Sequence, residues 1–494
     1  MSVAVTDGVS FGAQTSQVVV AYERNGESWR SWSTVPGGAG GFPTVWNKAG
    51  GGMPAPPAES QPTDSFAFGR YEGWPTVLAF QGNQDFPNDW MQHVLYFTKF
   101  GSVTNGSTVT SGSGGRFSTD VAILRSTNGG VAFATPVRLT RPPTNPNVKR
   151  WKIEYPVATN CLHSNGFISS QSMVAWKQTP INQDDSEGSP QWRARYVNAD
   201  YTATSGITPA ASLEPLVLPI PGTSSPITFS CRWPYVNTVK IAYATFDGMK
   251  LLSDGVTWDA SNRCPNPSPA TRSVTWLYTQ TECDSTTCTG AVTDNIWTDT
   301  QWKPCVGASR NTVSGTPWNK QLIQPRLVVD PVTLKAYVAI TANANDPAKG
   351  TRLRLHRKVG SGPWTNIFTT PNIVGAVGIK DEWAPTLGIY RYSGPGETTH
   401  IYLGRRSTFT DTLSVTKNER IRQVATRSAD EGAIWETPEG FPIDGLATAY
   451  DVTAWMGAYD GVMGMSYFPE AWQAGWADPR NPPTSKVYGA TIIP

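Results

Sequence analysis

The chain has 494 residues, of which only 16% are charged, and it contains 46 Gly, 40 Pro and 20 Trp. Its formal net charge is +2 and no run of Lys or Arg exceeds two, which argues against a basic patch for nucleic acid or anionic membranes. No apolar run approaches the ~20 residues of a membrane helix. High Gly and Pro with little charge are typical of many short strands joined by turns.

Short runs rich in Val, Ile, Thr and aromatic residues recur along the whole chain, bounded by Gly, Pro, Asn or Asp. Their regular spacing, without a long amphipathic helix, predicts a sandwich array, a barrel or a propeller. In chain order the predicted strands are Gln17–Tyr22, Thr76–Phe80, Val94–Phe97, Val121–Arg125, Met173–Trp176, Arg193–Val197, Val239–Thr245, Val274–Thr279, Leu327–Asp330, Lys335–Ile340, Arg352–Leu355, Thr386–Tyr390, His400–Leu403, Ile421–Thr426 and Val487–Ile493.

One turn motif recurs among these strands. Ser428–Trp435 reads Ser-x-Asp-x-Gly-x-x-Trp, in which Ser and Asp can bond the turn backbone, Gly supplies a positive φ and Trp packs against the sheet. Ser126–Phe133 is a second copy with Asn for Asp and Phe for Trp, and Leu251–Trp258 and Tyr22–Trp29 are weaker copies. The repetition favours a propeller over the other all-β folds.

The motif resembles the Asp box, or BNR repeat, of sialidase-like β-propellers. The C-terminal segments Trp455–Gly461, Ala471–Arg480 and Lys486–Ile492 resemble the closing blade of bacterial BNR-repeat proteins. The resemblance implies an all-β, six- or seven-bladed propeller, with residues 1–494 forming a single domain. We expect a strand near Val18 to pair with the C-terminal strands, because this closes the ring and removes an exposed edge.

A second repetition places a charged residue, a Trp and often a Pro before a predicted strand. It occurs around Trp74, Trp151, Trp233 and Trp383, which are 77, 82 and 150 residues apart. The last interval is close to two blade lengths, and Arg326 falls near the missing position. Blades of ~70–80 residues with four strands each fit these intervals.

If these signatures lie where innermost strands enter a central channel, their side chains face one funnel. An indole offers a flat apolar face to a sugar ring, and an Arg fork matches a carboxylate or paired hydroxyls. The alternative is packing, with Trp between blades and Arg bonded to a neighbouring loop. The predicted substrate-binding residues are Arg70, Trp74, Arg150, Trp151, Arg232, Trp233, Arg326 and Trp383.

Catalysis is a separate question. A sialidase resemblance would imply three Arg, a Tyr–Glu pair and an Asp, but Phe68-Gly-Arg70-Tyr lacks the Ile-Pro of the usual first Arg motif. Glycoside hydrolysis by two carboxylates remains open because spacing in space defines it, and a polysaccharide lyase is a further alternative. The candidate catalytic residues are Glu72, Glu154, Asp381, Glu382 and Tyr459.

Six Cys lie between Cys161 and Cys305, with no C-x-x-C pair and no clustered His. This predicts two or three disulfides in an extracellular or cell-surface protein and no metal or cofactor. Residues Met1–Phe11 lack the features of a signal peptide. Asp184-Asp185-x-Glu187 is read as a solvated turn, with a Ca²⁺ site as the alternative.

Two functions therefore stand at this stage. The first is an extracellular protein that binds a glycan or polysaccharide at the channel mouth, with or without hydrolysis. The alternative is a non-catalytic structural or adhesion propeller of a cell surface, secreted assembly or virus-like particle, which would present its loops to protein partners. The fold cannot choose between them, because propellers host many functions.

Overall fold

The computed structural model describes about half of the chain, in segments separated by short gaps. In some of the segments it describes the backbone alone. The described residues are 2–5, 16–24, 27–35, 47–49, 73–79, 94–101, 118–133, 137–141, 143–162, 168–198, 214–233, 237–246, 272–284, 286–302, 324–330, 332–343, 351–370, 377–391, 398–411, 419–435, 439–440, 450–451, 462–466, 471–478 and 486–492.

These residues form strands and turns, with no helix among them, and hence no helix in the described segments could cross a membrane. The first strands in chain order are β1 (Ser2–Val5), β2 (Ser16–Arg24), β3 (Glu27–Val35), β4 (Asn47–Ala49), β5 (Gly73–Ala79), β6 (Val94–Gly101), β7 (Ser118–Ser126), β8 (Val137–Arg138), β9 (Val148–Leu162), β10 (Ile168–Asn182), β11 (Gln191–Asn198), β12 (Leu216–Pro221), β13 (Thr228–Cys231) and β14 (Thr238–Phe246). The remaining strands are β15 (Arg272–Cys283), β16 (Cys288–Trp302), β17 (Arg326–Val329), β18 (Ala336–Asn343), β19 (Thr351–Lys358), β20 (Thr365–Thr369), β21 (Val377–Arg391), β22 (Thr399–Asp411), β23 (Glu419–Ser428), β24 (Glu439–Gly440), β25 (Tyr450–Asp451), β26 (Val462–Ser466), β27 (Ala471–Asp478) and β28 (Lys486–Ile492).

Neighbouring strands pair antiparallel in simple up-and-down order. We call the groups sheet 1 (β1–β4), sheet 2 (β5–β8), sheet 3 (β9–β12), sheet 4 (β13–β16), sheet 5 (β17–β20), sheet 6 (β21–β25) and sheet 7 (β26–β28). Sheets 2 and 3 are joined into one eight-stranded sheet through a single residue pair, Ser118 with Ile153. Among the described residues, the other strand ladders stay within one sheet.

The alternation of apolar and polar residues explains why these segments are strands. β12 alternates strictly between buried and exposed positions, with Leu216, Leu218 and Ile220 inside and Pro221 outside. Successive strand residues point to opposite faces, so this pattern buries one face and leaves the other in water. β12 is the last strand of its sheet, where a Pro costs no ladder hydrogen bond.

The first strand of each sheet lies beside the first strand of the next. Contacts join β1 to β5, β5 to β9, β9 to β13, β13 to β17, β17 to β21, β21 to β26, and β26 to β1. β9 and β13 run in the same direction, as the parallel bridge between Leu162 of β9 and Arg232 after β13 shows. In each sheet, the end at which its first strand begins is here called the entry end, and the end at which that strand finishes is called the exit end.

Five apolar clusters fill the spaces between successive sheets. Each contains residues of two neighbouring sheets, such as Val19 with Val77 for sheets 1 and 2, and Leu355 with Leu403 for sheets 5 and 6. Trp176, Trp192 and Trp276 are fully buried in these layers. The core is thus a series of sheet-on-sheet contacts rather than one central mass.

The two strong turn copies share one hydrogen-bond pattern. In Ser428–Trp435, Ser428 Oγ accepts from Gly432 N at 2.9 Å, and Asp430 Oδ1 accepts from Ile434 N at 2.8 Å. In Ser126–Phe133, Ser126 Oγ accepts from Gly130 N at 2.9 Å, and Asn128 Oδ1 accepts from Ala132 N at 2.9 Å. Both turns connect the third and fourth strands of their sheets.

Two expectations about the chain termini and the weak copies need correction. Val18 pairs with Val5 of β1 and Ser33 of β3, so its strand is not available to the C-terminal strands. The weak copy Tyr22–Trp29 is the hairpin between β2 and β3, a second-to-third connection, and Tyr22 pairs directly with Trp29. The weak copy Leu251–Trp258 lies outside the described residues.

Two disulfides are described, as the even cysteine count predicted. Cys161–Cys231 joins the ends of β9 and β13 and so links sheets 3 and 4. Cys283–Cys288 closes the turn between β15 and β16. Cys264 and Cys305 lie outside the described residues.

Candidate functional site

The structure covers the predicted site residues unevenly. Three of them, Arg70, Glu72 and Tyr459, lie outside the described residues. Four are described by backbone alone: Trp74 is the second residue of β5, and Asp381, Glu382 and Trp383 lie within β21. The six whose side chains are described are Arg150, Trp151, Glu154, Arg232, Trp233 and Arg326.

These six side chains do not all lie at one end of the strands. Arg150 and Trp151 are near the start of β9, and Arg326 is the first residue of β17. Arg232 and Trp233 follow β13 at the exit end, where Trp233 N donates to the carbonyl of Leu162 at 3.0 Å. The predicted single funnel is wrong for this pair, because the signature that precedes β14 in sequence lies after β13, the first strand of its sheet.

Glu154 forms a buried ion pair in sheet 3. Lys177 lies directly opposite it on β10, with Nζ 3.5 Å from Glu154 Oε2, and the two side chains are 8% and 7% exposed. The other carboxylate oxygen, Oε1, is buried without a hydrogen-bond partner among the described residues. A buried acceptor without a donor is costly, so Glu154 retains capacity to accept a hydrogen bond from a ligand hydroxyl.

A backbone distortion fixes this pair. Tyr155 has φ of 51°, and Tyr155 and Pro156 together oppose the single residue Trp176, which makes a β-bulge. A non-Gly residue at positive φ costs about 1–3 kcal/mol and persists only when its surroundings impose it. Here Thr76 of β5 donates to the carbonyl of Pro156 at 3.2 Å, and the Lys177 ammonium lies 6.0 Å from the Tyr155 ring.

Further charges line the entry end of sheet 3, where the turn after β10 folds beside the start of β9. Asp185 Oδ1 lies 3.1 Å from Lys149 Nζ and 3.6 Å from Arg150 Nη2, and Lys152 Nζ bonds Glu187 Oε1 at 2.9 Å. The ion pairs involve the strand residues on either side of Trp151 in sequence.

The acidic segment at residues 184–187 is the solvated turn that its sequence favoured. Asp184 Oδ1 accepts from Ser186 Oγ and Ser186 N, which lowers the pKa of Asp184 below its usual value. Asp185 and Glu187 face lysines and an arginine, as given above. No group of residues suited to a metal ion occurs in the described part of the chain.

Several predicted sugar contacts also hold the protein together. Trp151 Nε1 donates to the carbonyl of Arg141 at 2.7 Å, and Arg326 Nε donates to the carbonyl of Pro385 in sheet 6 at 3.0 Å. Trp233 packs on Tyr196 with ring centroids 4.8 Å apart. These contacts are those expected of residues packed between sheets, and they leave the ligand role of these three as a prediction.

Sequence reasoning missed Lys177 and Lys152. Lys177 directly follows the apolar run Met173–Trp176. A lysine in that position indicates a buried charge, which needs a partner of opposite charge. The partner itself could not be read, because the bulge shifts the register by one residue.

No family model matches the chain, and no curated protein matches it. Among solved structures it resembles an α-L-arabinofuranosidase from Fusarium graminearum, at 12% identity over 89% of this chain and 95% of that one, with a TM-score of 0.36. It also resembles the Hadza microbial sialidase Hz136 (10% identity, 92% and 71% covered, TM-score 0.39) and the fucose-specific lectin from Aleuria aurantia (8%, 85% and 95%, TM-score 0.31). Carbohydrate-active enzymes and a lectin are thus among the structures that this chain resembles, and the roles of its residues are argued from its own geometry.

Proposed function

We propose that this protein is a glycan-directed, seven-bladed β-propeller that binds carbohydrate at the entry end of its first strands. The observation that carries the proposal is Glu154, a buried carboxylate with one oxygen on Lys177 and the other without a donor, held on a bulge that strains Tyr155. Strain and an unsatisfied buried acceptor together are characteristic of ligand sites. A sugar hydroxyl supplies the missing donor.

The ring belongs to the proposal. Its support is the succession of contacts between first strands, which passes through seven sheets and returns from β26 to β1. The two Ser-x-Asp/Asn-x-Gly turns, which we interpret as Asp boxes, lie on third-to-fourth connections as blade-pinning turns would. On this reading residues 1–494 form one closed domain, and closure is by contact between the first and last sheets rather than by a shared strand.

Extracellular location and catalysis are the finer parts of the proposal. The two disulfides support an oxidising compartment. For hydrolysis, Glu154 is the described candidate carboxylate, and its partner acid would come from Glu72, Asp381 or Glu382. Binding alone, without bond cleavage, satisfies the geometry equally well.

A structural or adhesion propeller is the second candidate, and one set of observations favours it. Three of the predicted ligand contacts use a polar group or a ring face in contacts within the protein: Trp151, Trp233 and Arg326. A scaffold uses its aromatic residues in this way, and its loops would then meet protein partners.

A glycan array with the full-length chain, followed by titration and product analysis on any hit, tests the proposal. We expect binding, and we expect Glu154→Gln to weaken it by about tenfold, because a charged acceptor is replaced by a neutral one. Arg150→Ala is a second test, which leaves the buried pair of Glu154 and Lys177 intact. We expect it to weaken glycan binding by a similar factor.

Glu431→Gln is the matched control, since Glu431 is also paired with a lysine, Lys335, but lies at the exit end. It should leave glycan affinity unchanged. Circular dichroism and the thermal midpoint establish that each variant is folded. Absence of binding by the wild-type chain across the array would reject the glycan proposal, and binding without product would reject hydrolysis.

A further inference from the structure

A second polar cluster lies between sheets 4 and 5, far along the chain from Glu154. On β19, Arg354, His356 and Lys358 alternate with Leu353 and Leu355, which pack toward sheet 6. The basic residues therefore share the face that meets sheet 4. Lys358 Nζ bonds Asp294 of β16 at 2.9 Å, and Arg354 lies 4.5 Å from the ring centroid of Trp297.

Two buried polar atoms in this interface have no hydrogen-bond partner within the described segments. They are Nε2 of His356, whose residue is 2% exposed, and Nε1 of Trp364, whose ring meets Tyr278 edge-on with centroids 5.1 Å apart. Buried polar atoms without a partner are rare in folded proteins, and the described residues supply none for these two. An indole N–H can only donate, so its missing partner is an acceptor.

A second lysine lies near Lys358. Lys240 of β14 reaches the β17–β18 turn, where its Nζ donates to the carbonyl of Leu334 at 3.4 Å. Burial, together with the positive charges of Arg232 and Lys358, lowers the pKa of Lys240 to about 8. Burial and the charge of Arg354 lower the pKa of His356 to about 4, which leaves its imidazole neutral at pH 7. Lys358 Nζ bonds Asp294 and also donates to the carbonyl of Gly362 at 2.7 Å, whereas Lys240 has a carbonyl as its described acceptor.

We infer that a small oxyanion binds between sheets 4 and 5, held by Lys240, Lys358 and the indole N–H of Trp364. Sulfate, phosphate and a carboxylate share the chemistry that this cluster recognises, which is several acceptor oxygens with negative charge. The ion would balance the charge of Lys240, lie beside the Lys358–Asp294 pair of the two sheets, and give Trp364 the acceptor that it lacks among the described residues. The site would tie the two sheets together, apart from the entry end.

Thermal unfolding of the full chain in sodium sulfate tests the inference, with sodium chloride at equal ionic strength as reference. Sulfate also stabilises proteins through exclusion from their surface, an effect that does not saturate and that all variants share. We expect a saturable rise in the midpoint above this background in the wild type. Phosphate and acetate, titrated in parallel, establish which oxyanion fits best.

Three variants assign the effect to the cluster. Lys240→Met should weaken sulfate binding by at least about tenfold and raise the midpoint in sulfate-free buffer, since a repelled, partly buried cation is removed. Trp364→Phe keeps the ring contact with Tyr278 but removes the donor, and should weaken binding by up to about tenfold. Lys335→Met, whose ammonium pairs with Glu431 outside the cluster, should respond like the wild type.

Equal responses to sulfate and chloride in the wild type would overturn the inference and leave ordered water as the partner of the buried atoms. A saturable response retained by both Lys240→Met and Trp364→Phe would overturn it as well. Glycan affinity is measured on the same variants and should not change, so failure here is distinct from failure of the glycan proposal.

Discussion

The turn Ser428–Trp435 in sheet 6 and the turn Cys283–Cys288 in sheet 4 make the same connection, from third to fourth strand, with different chemistry. In both, an Asp accepts backbone hydrogen bonds: Asp430 from Ile434, and Asp284 from Thr286 and Thr287 at 2.6 and 2.7 Å. The first turn adds a Ser, a Gly at positive φ and a Trp. The second adds a disulfide.

The difference lies in what each turn does for its neighbours. Trp435 stacks on Phe368 of sheet 5 with ring centroids 4.2 Å apart, so the motif turn pins its sheet to the preceding one. The disulfide turn meets sheet 3 through one hydrogen bond, from Tyr196 Oη to the carbonyl of Cys283 at 3.3 Å, and a separate disulfide, Cys161–Cys231, ties sheet 4 to sheet 3 covalently. The fold thus needs a closed turn and a link between sheets, and one motif or two disulfides can provide them.

Replacement of Gly432 should break the motif turn most severely. Gly432 has φ of 93°, and a Cβ there would meet Ile367 Cδ1 at 2.8 Å, so Gly432→Ala combines backbone strain with a clash. We expect a loss of about 3 kcal/mol in the free energy of unfolding, measured by urea denaturation. Gly360→Ala is the matched control, since Gly360 has φ of 54° with nothing within 4 Å of the new Cβ, and should cost about 1 kcal/mol. Equal losses would show that the contact with sheet 5 is unimportant.

Removal of the disulfide turn's covalent link should have a smaller effect. Cys283 and Cys288 are only 5 residues apart, and closing so short a loop stabilises by about 2 kcal/mol through the unfolded state. We expect Cys283→Ser with Cys288→Ser to lower the free energy of unfolding by that amount in denaturant titrations. A loss below about 0.5 kcal/mol would mean that the Asp284 hydrogen bonds hold the turn alone.

The smallest expected effect compares the two motif turns. Asn128→Asp gives the turn Ser126–Phe133 the Asp that the turn Ser428–Trp435 has. A carboxylate accepts the hydrogen bond from Ala132 N more strongly than an amide oxygen does. Because the side chain is exposed, solvent screening limits the gain to about 0.5 kcal/mol.

The pH dependence of that gain checks its cause. The hydrogen bonds that Asp430 accepts from the backbone N–H of Ile434 and from the Ser428 hydroxyl lower its pKa. Backbone hydrogen bonds from Thr286 and Thr287 lower the pKa of Asp284 to about 2. A carboxyl group whose pKa is lowered in the folded state stabilises above its unfolded value, near 3.9, and loses that contribution as the pH falls further. The advantage of Asn128→Asp should therefore be present at pH 7 and be lost progressively as the pH falls from about 4 through the lowered pKa of the folded state. A gain independent of pH would contradict this cause.

The sequence by itself determined the features whose contacts are local. Short runs of β-branched, apolar and aromatic residues predicted the strands. The Ser-x-Asp-x-Gly-x-x-Trp spacing predicted turns whose hydrogen bonds all lie within eight residues, and the resemblance of this motif to the Asp box first indicated a propeller. The Asp284 turn went unnoticed because it shares only the Asp with that pattern. An even number of clustered cysteines likewise predicted disulfides but not their partners.

Only the tertiary structure decided which residues meet across the chain. Lys177 faces Glu154 because a bulge at Tyr155 and Pro156 shifts the ladder between β9 and β10. Arg232 lies at the exit end because β13 ends before it, although its sequence signature matches that of Arg150. Such placements depend on strand register and on contacts between sheets distant in sequence, and a local pattern of residue types carries no information about either.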